Sequence, residues 1–229
     1  MLRDQSLEEI YDGHFYKPDD MVMVGCHDCE GCSECCRQTG DSIILDPWDM
    51  YMLTKAAGKS FQDMIEKEIE IRLVDNLILP NIMQHQEADD YSDHCPFLSE
   101  EGRCTIHAYR PGFCRLYPMG RYYEGDGFRY ILQKNECSRQ NRYPVRLRDW
   151  IGIAELEEYE AYILSWHTFC REAGNAAGYL TERSRDSVMR YILHVFFVEP
   201  YRTGSDFYPR YHARMKICRE KLASILPVR

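Results

Sequence analysis

The sequence predicts an α+β fold: an irregular cysteine-rich metal-binding core with short strands, hairpins and two helices, followed by a three-helix C-terminal part. Three observations predict it. Eleven cysteines occur in 229 residues, and five of them fall between Cys26 and Cys36. Up to about residue 140, short apolar runs alternate with turn residues, the pattern of brief strands and hairpins. From about Leu147 the apolar residues recur at helical spacing over long stretches. Residues 21–140 are therefore expected to form a cysteine-cluster metal-binding domain, and residues 145–229 a helical region packed on it.

Taken in order, residues 1–20 read as a peripheral arm with one short helix around Leu7–Tyr11. Met21–Val24 is apolar enough for a strand leading into the cysteine loop, and Ser42–Leu45 for another. Asp46-Pro47 signals a helix start, with Asp46 as N-cap and proline in the first turn, and Gly58 a stop. Ser60 with Asp63 approximates a capping box for a second helix, whose apolar stripe would run Phe61, Met64, Ile65, Ile69. Leu77–Met83 reads as extended, and residues 85–93 as an acidic loop. A hairpin with Gly102 in its turn would bring Cys95 and Cys104 together. Arg121–Tyr123 and Phe128–Leu132, around Gly125-Asp126-Gly127, form a second hairpin candidate. Helical patterns cover Asp149–Ala173, Ser184–Val198 and Ser205–Leu226, with breaks at Gly174–Gly178 and Pro200–Gly204.

A metal must gather several thiolates about 2.3 Å from one point. Cysteines two residues apart across a tight turn do this readily, and Gly31 eases such a turn because it tolerates positive φ. Cys35 and Cys36 are adjacent, and neighbouring side chains diverge, so they are expected to serve different metals or different atoms of one cluster. A hydrophobic content of 45% supplies a packed core besides the metal. The net charge of −9 is uneven: residues 1–139 carry 14 basic and 26 acidic side chains, residues 140–229 carry 14 and 11. An acidic cysteine-bearing half argues against nucleic acid, whose phosphates require a basic surface. No signal peptide and no membrane span is readable, so a cytoplasmic location is expected, where so many cysteines imply metal or redox chemistry rather than disulfides. No P-loop or dinucleotide fingerprint occurs.

The ordered pattern is Cys29-x2-Cys32-x2-Cys35-Cys36, then Cys95-Pro-Phe-Leu, Cys104-x-Ile-His, Arg110-Pro-x2-Cys114-Arg-x-Tyr-Pro, and Cys137. It resembles the CxxCxxCC cysteine-cluster family, also called YkgJ-like or the zinc- or iron-chelating domain, over residues 25–140. Tyr117 and His107 are mild departures from residues common in that family. The resemblance implies metal binding and selects Cys29, Cys32, Cys35, Cys36, Cys95, Cys104, Cys114 and Cys137 as ligands, enough for two four-thiolate sites. More distantly, it implies a relation to flagellin lysine-N-methylases.

Soft thiolates suit both zinc and iron. The triplet of cysteines with a remote Cys95-Pro96 is similar to the ferredoxin run, so an iron–sulfur cluster of the 4Fe–4S type is expected, with zinc as the alternative. Cys26 is a spare ligand candidate, whereas Cys170 and Cys218 read as core residues. His27 and His107 read as neighbours of the ligands, and His85 and His94 as flanking an opening. Arg110 and Arg115 bracket Cys114, either as a structural ion pair or as donors to sulfur. The run Arg210, Arg214, Lys216, Arg219, Lys221 reads as a solvated face, with Tyr208 and Tyr211 available to a partner. No acid–base or nucleophile constellation stands apart from the cysteines, so whether the protein is an enzyme stays open. Three functions follow: a metal-cluster protein supporting redox or methyl-transfer chemistry on a protein or small molecule, a metal scaffold or carrier, and a zinc-stapled interaction module.

Overall fold

The computed structural model describes residues 6–27, 32–37, 39–65, 67–87, 90–201 and 206–226. It is an α+β fold of small antiparallel sheets and helices. A short helix α1 (Leu7–Ile10) leads straight into β1 (Tyr11–Tyr16), a strand inside the expected peripheral arm. β1 adds to the hairpin of β7 (Met119–Glu124) and β8 (Gly127–Gln133), which turns where the Gly-Asp-Gly signal predicts, and the sheet order is β1-β8-β7. β2 (Met21–Gly25) pairs with β9 (Tyr143–Arg146), and the ladder runs from Met21↔Arg146 to Gly25↔Tyr143. A residue at Gly25 with a Cβ would strike the Tyr143 ring at 2.4 Å, so the glycine lets that ring lie against the strand.

Helix α2 (Pro47–Ala57) begins and ends as its sequence predicts. The Asp46 carboxylate accepts from the Asp49 amide at 2.9 Å, and Gly58 closes the helix in the left-handed region at φ 62°. Helix α3 (Phe61–Met64) has the expected Ser60/Asp63 capping box but lasts one turn. Ile69 belongs instead to β3 (Ile69–Val74), which forms a hairpin with β4 (Leu77–Ile82). Its side chain is fully buried in that hairpin, so tertiary packing overrides the local helical stripe. Residues 42–45 run beside β4 with a bridge at Ile44–Asn81 and do not form a strand. Leu45 N–H donates to Pro80 O at 2.9 Å, but Pro80 has no N–H to return, and the ladder stops.

The acidic segment 85–93 is a hairpin rather than a loop: β5 (His85–Glu87) pairs with β6 (Asp90–His94), and residues 88–89 lie outside the described set. Backbone pairing, extended by the bridge Arg37–His94, outweighs the loop-like composition. Between Cys95 and Cys104 the chain makes a tight loop with one bridge, Leu98–Cys104, rather than two strands; Gly102, at φ 73°, sits in its turn. Helix α4 (Gly112–Leu116) then carries Cys114.

The C-terminal part contains α5 (Leu147–Ile151), α6 (Leu156–Gly178), α7 (Glu182–Leu193) and α8 (Phe207–Lys221). Gly174 and Gly178, read as a break, lie inside α6. A Cβ on Gly174 would sit 2.2 Å from the Asp75 carbonyl oxygen, so this glycine admits the β3–β4 turn against the helix instead of ending it. A π-helical turn, His194–Val198, continues α7. Arg214, expected on a solvated face, is buried and donates to the carbonyls of Val195, Glu199 and Pro200 at 2.7–2.9 Å. Those carbonyls have no helical partners, and the guanidinium satisfies them. Tyr208 and Tyr211 face the core, and Arg219 pairs with Glu172 at 2.8 Å. One hydrophobic cluster runs from Val22 to Leu226 and includes residues of both halves. Among the described residues, no helix is long and apolar enough to cross a membrane.

Candidate metal centre

The cysteines meet in a cleft of about 560 Å³ between the N-terminal half and the β9–α5 segment. Cys32, Cys35, Cys36, Cys95, Cys104 and Cys114 line it. Local structure explains how each arrives. Residues Glu34–Cys36 form a 3₁₀ turn, in which successive residues rotate by about 120° rather than alternating across a strand. The sulfurs of Cys35 and Cys36 are therefore only 4.0 Å apart, and the expected divergence of this adjacent pair does not occur. Cys95 N–H donates to Cys36 O at 2.8 Å, which ties the second cysteine segment to the first. The Leu98–Cys104 bridge folds Cys104 back, and α4 presents Cys114.

The titration of these thiols reports their mutual proximity. Cys35 is raised by its hydrogen bond with Cys36, then by burial and the Cys36 charge. Cys95 is pushed up to about 11, by burial first and then by Cys104 and Cys35. Cys114 is raised well above the usual thiol range by burial, with Cys95, Cys35, Asp49 and Cys104 adding repulsion. Cys104 is raised chiefly by burial, while Arg110 and Arg103 pull it down. Crowded, buried thiols of this kind hold protons in the absence of a cation and release them to one. As arranged, no three cysteine, histidine or carboxylate groups among the described residues converge tightly enough to hold an ion. The donor set, soft sulfur in a half-buried apolar cleft, fits zinc or iron.

Cys29 and Gly31 lie outside the described residues. Cys137 is not among the cleft-lining residues; it sits near Glu34 and Cys26, and burial raises its pKa. The Glu34 carboxylate accepts from Ser138 N–H at 2.9 Å and links the 3₁₀ turn to that second locus. Cys218 is buried in the helical core and Cys170 packs against it. His107 and Arg110 line the cleft, and Arg110 donates to His107 O at 2.8 Å. His85 and His94 face each other across β5 and β6 with ring centroids 6.2 Å apart. Among the described residues Arg115 is held by backbone carbonyls rather than by an ion pair: its Nε donates to Arg110 O at 3.0 Å, its other end to Ala108 O, and its guanidinium lies over Trp48.

Beneath the cleft lies a buried polar network that sequence reasoning missed. Asp49 Oδ1 accepts from Gly112 N–H at 2.7 Å, and Asp46 Oδ1 accepts from the Tyr162 hydroxyl at 2.8 Å. Burial raises both carboxyls, and the Asp46 charge raises Asp49 further. Arg121 reaches the Tyr159 hydroxyl at 3.5 Å. The signal in the chain was the Asp46–Asp49 capping box, which reads as a helix start and carries a second duty. The aromatic walls Tyr143 and Trp150 were likewise unmarked, while Tyr117 belongs to the motif around Cys114.

A family model described as "CxxCxxCC: Putative zinc- or iron-chelating domain" matches residues 28–143, about half of the chain. Neither a curated protein nor a solved structure matches it significantly.

Proposed function

The chain belongs to the CxxCxxCC family, and from that premise we propose that Cys29, Cys32, Cys35, Cys36, Cys95, Cys104, Cys114 and Cys137 are the donors of a zinc or iron centre. The observation that carries this reading is the gathering of six of these cysteines on one cleft, with the Cys35 and Cys36 sulfurs 4.0 Å apart. Two thiolates on one tetrahedral metal, with bonds of about 2.3 Å, lie about 3.8 Å apart. Cys35 and Cys36 are thus spaced to share one metal atom. In a four-iron cluster held by four cysteines, each iron takes a single thiolate, so a shared atom favours zinc, a lone iron or a two-iron cluster. Arg110 beside Cys35 and Cys104 offsets part of the thiolate charge. A reducing, cytoplasmic setting belongs to this reading, since the ligands must stay reduced.

A second reading rests on the size of the cleft. A cleft of about 560 Å³ exceeds what one ion needs and falls within the range of ligand sites. It supports redox or methyl-transfer chemistry on a protein or small molecule admitted beside the metal, in contrast to a closed scaffold or carrier. The centre itself is tested by metal and acid-labile sulfide analysis of protein purified without oxygen. Wild type should contain zinc or iron, Cys114→Ser should lose it, and Cys170→Ser should keep it. Equal losses in both variants would refute the assignment of ligands.

A further inference from the structure

We propose that Tyr159 and Asp49 are positioning residues for Cys114, so that the long helix beyond the family-matched segment completes the metal centre. The inference rests on the reading of Cys114 as a ligand. Its geometry centres on Gly112, the first residue of α4. On one side, Gly112 N–H donates to Asp49 Oδ1 at 2.7 Å, and Asp49 is only 2% exposed. On the other side stands α6: a Cβ built on Gly112 would lie 2.2 Å from the Tyr159 hydroxyl oxygen. The next nearest atoms, Tyr159 Cζ and Asp49 Oδ1, would be at 3.5 and 3.7 Å, ordinary contacts.

Gly112 has no positive φ, so its requirement is space and not backbone freedom. The hydroxyl of Tyr159 fills that space. The clamp has a second tier, since Tyr162, one residue short of a helical turn further along α6, donates to Asp46, whose carboxylate caps α2 and holds Asp49 in place. Cys114 lies two residues beyond the clamped glycine on a five-residue helix. A shift of a few tenths of an ångström at Gly112 is therefore passed to its sulfur. Thiolate–metal distances tolerate about 0.2 Å, so the placement of α4 bears directly on affinity.

The geometry implies an exchange of volume. Gly112→Ala pushes α4 away from the Tyr159 hydroxyl. Tyr159→Phe leaves a gap there. The double variant sets a methyl group beside the vacated hydroxyl position and relieves both the clash and the gap at Gly112, although Arg121 still loses its contact with the hydroxyl. The experiment uses the full chain, with zinc affinity from competition against a chromophoric chelator, thiolate charge-transfer intensity of the cobalt-loaded protein, and urea midpoints without metal. Gly112→Ala should bind zinc about 10- to 100-fold more weakly, the range for residues that orient ligands. Its charge-transfer band per cobalt should fall by roughly a quarter, one thiolate in four. Tyr159→Phe should bind several-fold more weakly, and the double variant should bind more tightly than either single one.

A Gly112→Ala protein that does not fold leaves the comparison of Tyr159→Phe with the double variant intact. Singles that lower the urea midpoint but leave zinc affinity and the cobalt band unchanged overturn the inference, as does a double variant no tighter than Tyr159→Phe. A wild-type chain that takes up neither zinc, cobalt nor iron refutes the metal reading itself, a result distinct from both.

Discussion

Single residues carry some of the most readable physics of this chain. His167 lies stacked on Tyr123, with centroids 3.6 Å apart and planes within 8°, and burial, helped by Arg171, lowers its pKa to about 4. Above pH 6.5 it is neutral folded and unfolded. Between 6.5 and about 4 the unfolded chain takes up a proton that the folded chain refuses, so stability falls as the pH drops through that window. The ring is only partly buried, and solvent screening reduces the full shift to about 1 kcal/mol. Asp49 acts with the opposite sign, because its raised carboxyl binds a proton in the folded state first. The difference between wild type and His167→Phe isolates the histidine. Urea midpoints at pH 7.5 and 4.5 should show the variant losing about 1 kcal/mol less than wild type on acidification. The cysteine pattern, the Asp46 cap and Gly58 were legible at this scale because each acts on its own neighbours in sequence. The Asp49–Gly112 and Tyr159–Gly112 contacts were not, because they join residues far apart in the chain that no local pattern relates.

At the scale of elements, Gly174 separates two ways of reading a glycine in a helix. As a helix-breaker it would tolerate replacement, and alanine there would raise helical stability by up to about 1 kcal/mol. As the seat of the β3–β4 turn, its Cβ would meet Asp75 O at 2.2 Å. Gly174→Ala is accordingly expected to destabilise by about 1–3 kcal/mol. Gly178→Ala, whose Cβ would come no nearer than 3.4 Å to the Asn76 side chain, should be close to neutral. Thermal unfolding of both variants checks the pair, and equal behaviour would contradict the close-approach explanation. Strand β4, the hairpin β7–β8 and the long helices follow from apolar spacing and turn residues, whereas Ile69 at the start of β3 reads in the sequence as part of a helical stripe. What the spacing misses are elements made by pairing alone: β1, which completes the β7–β8 sheet, the polar hairpin β5–β6, and β9. Their sequences carry weak strand signals; β1 and β9 pair with strands far away in the chain, and β5 and β6 pair with each other across a polar turn.

Across the whole molecule, the hydrophobic cluster that joins Val22, Trp48 and Leu116 to Tyr159, Phe196 and Tyr211 is expected to make the two halves unfold together. Calorimetry should show one transition. Metal should raise its midpoint, because a ligand bound only to the folded state adds stability. A chelator should lower it and speed cleavage within residues 25–140; an unchanged digestion pattern there would argue against any structural metal.

The β2–β9 ladder has a consequence of another kind. Its last pair, Gly25↔Tyr143, sets the strand that leads into the stretch matched by the family model, residues 28–143, beside the last residue of that stretch. Paired residues on neighbouring strands sit about 5 Å apart, so the chain enters the cysteine module from beside the residue where the module ends. A module with adjacent ends is portable: it can be set into a surface turn of another protein without stretching its host. Transplanted alone, however, it would arrive without the tyrosines of α6, and each new host would have to supply its own backing for Cys114.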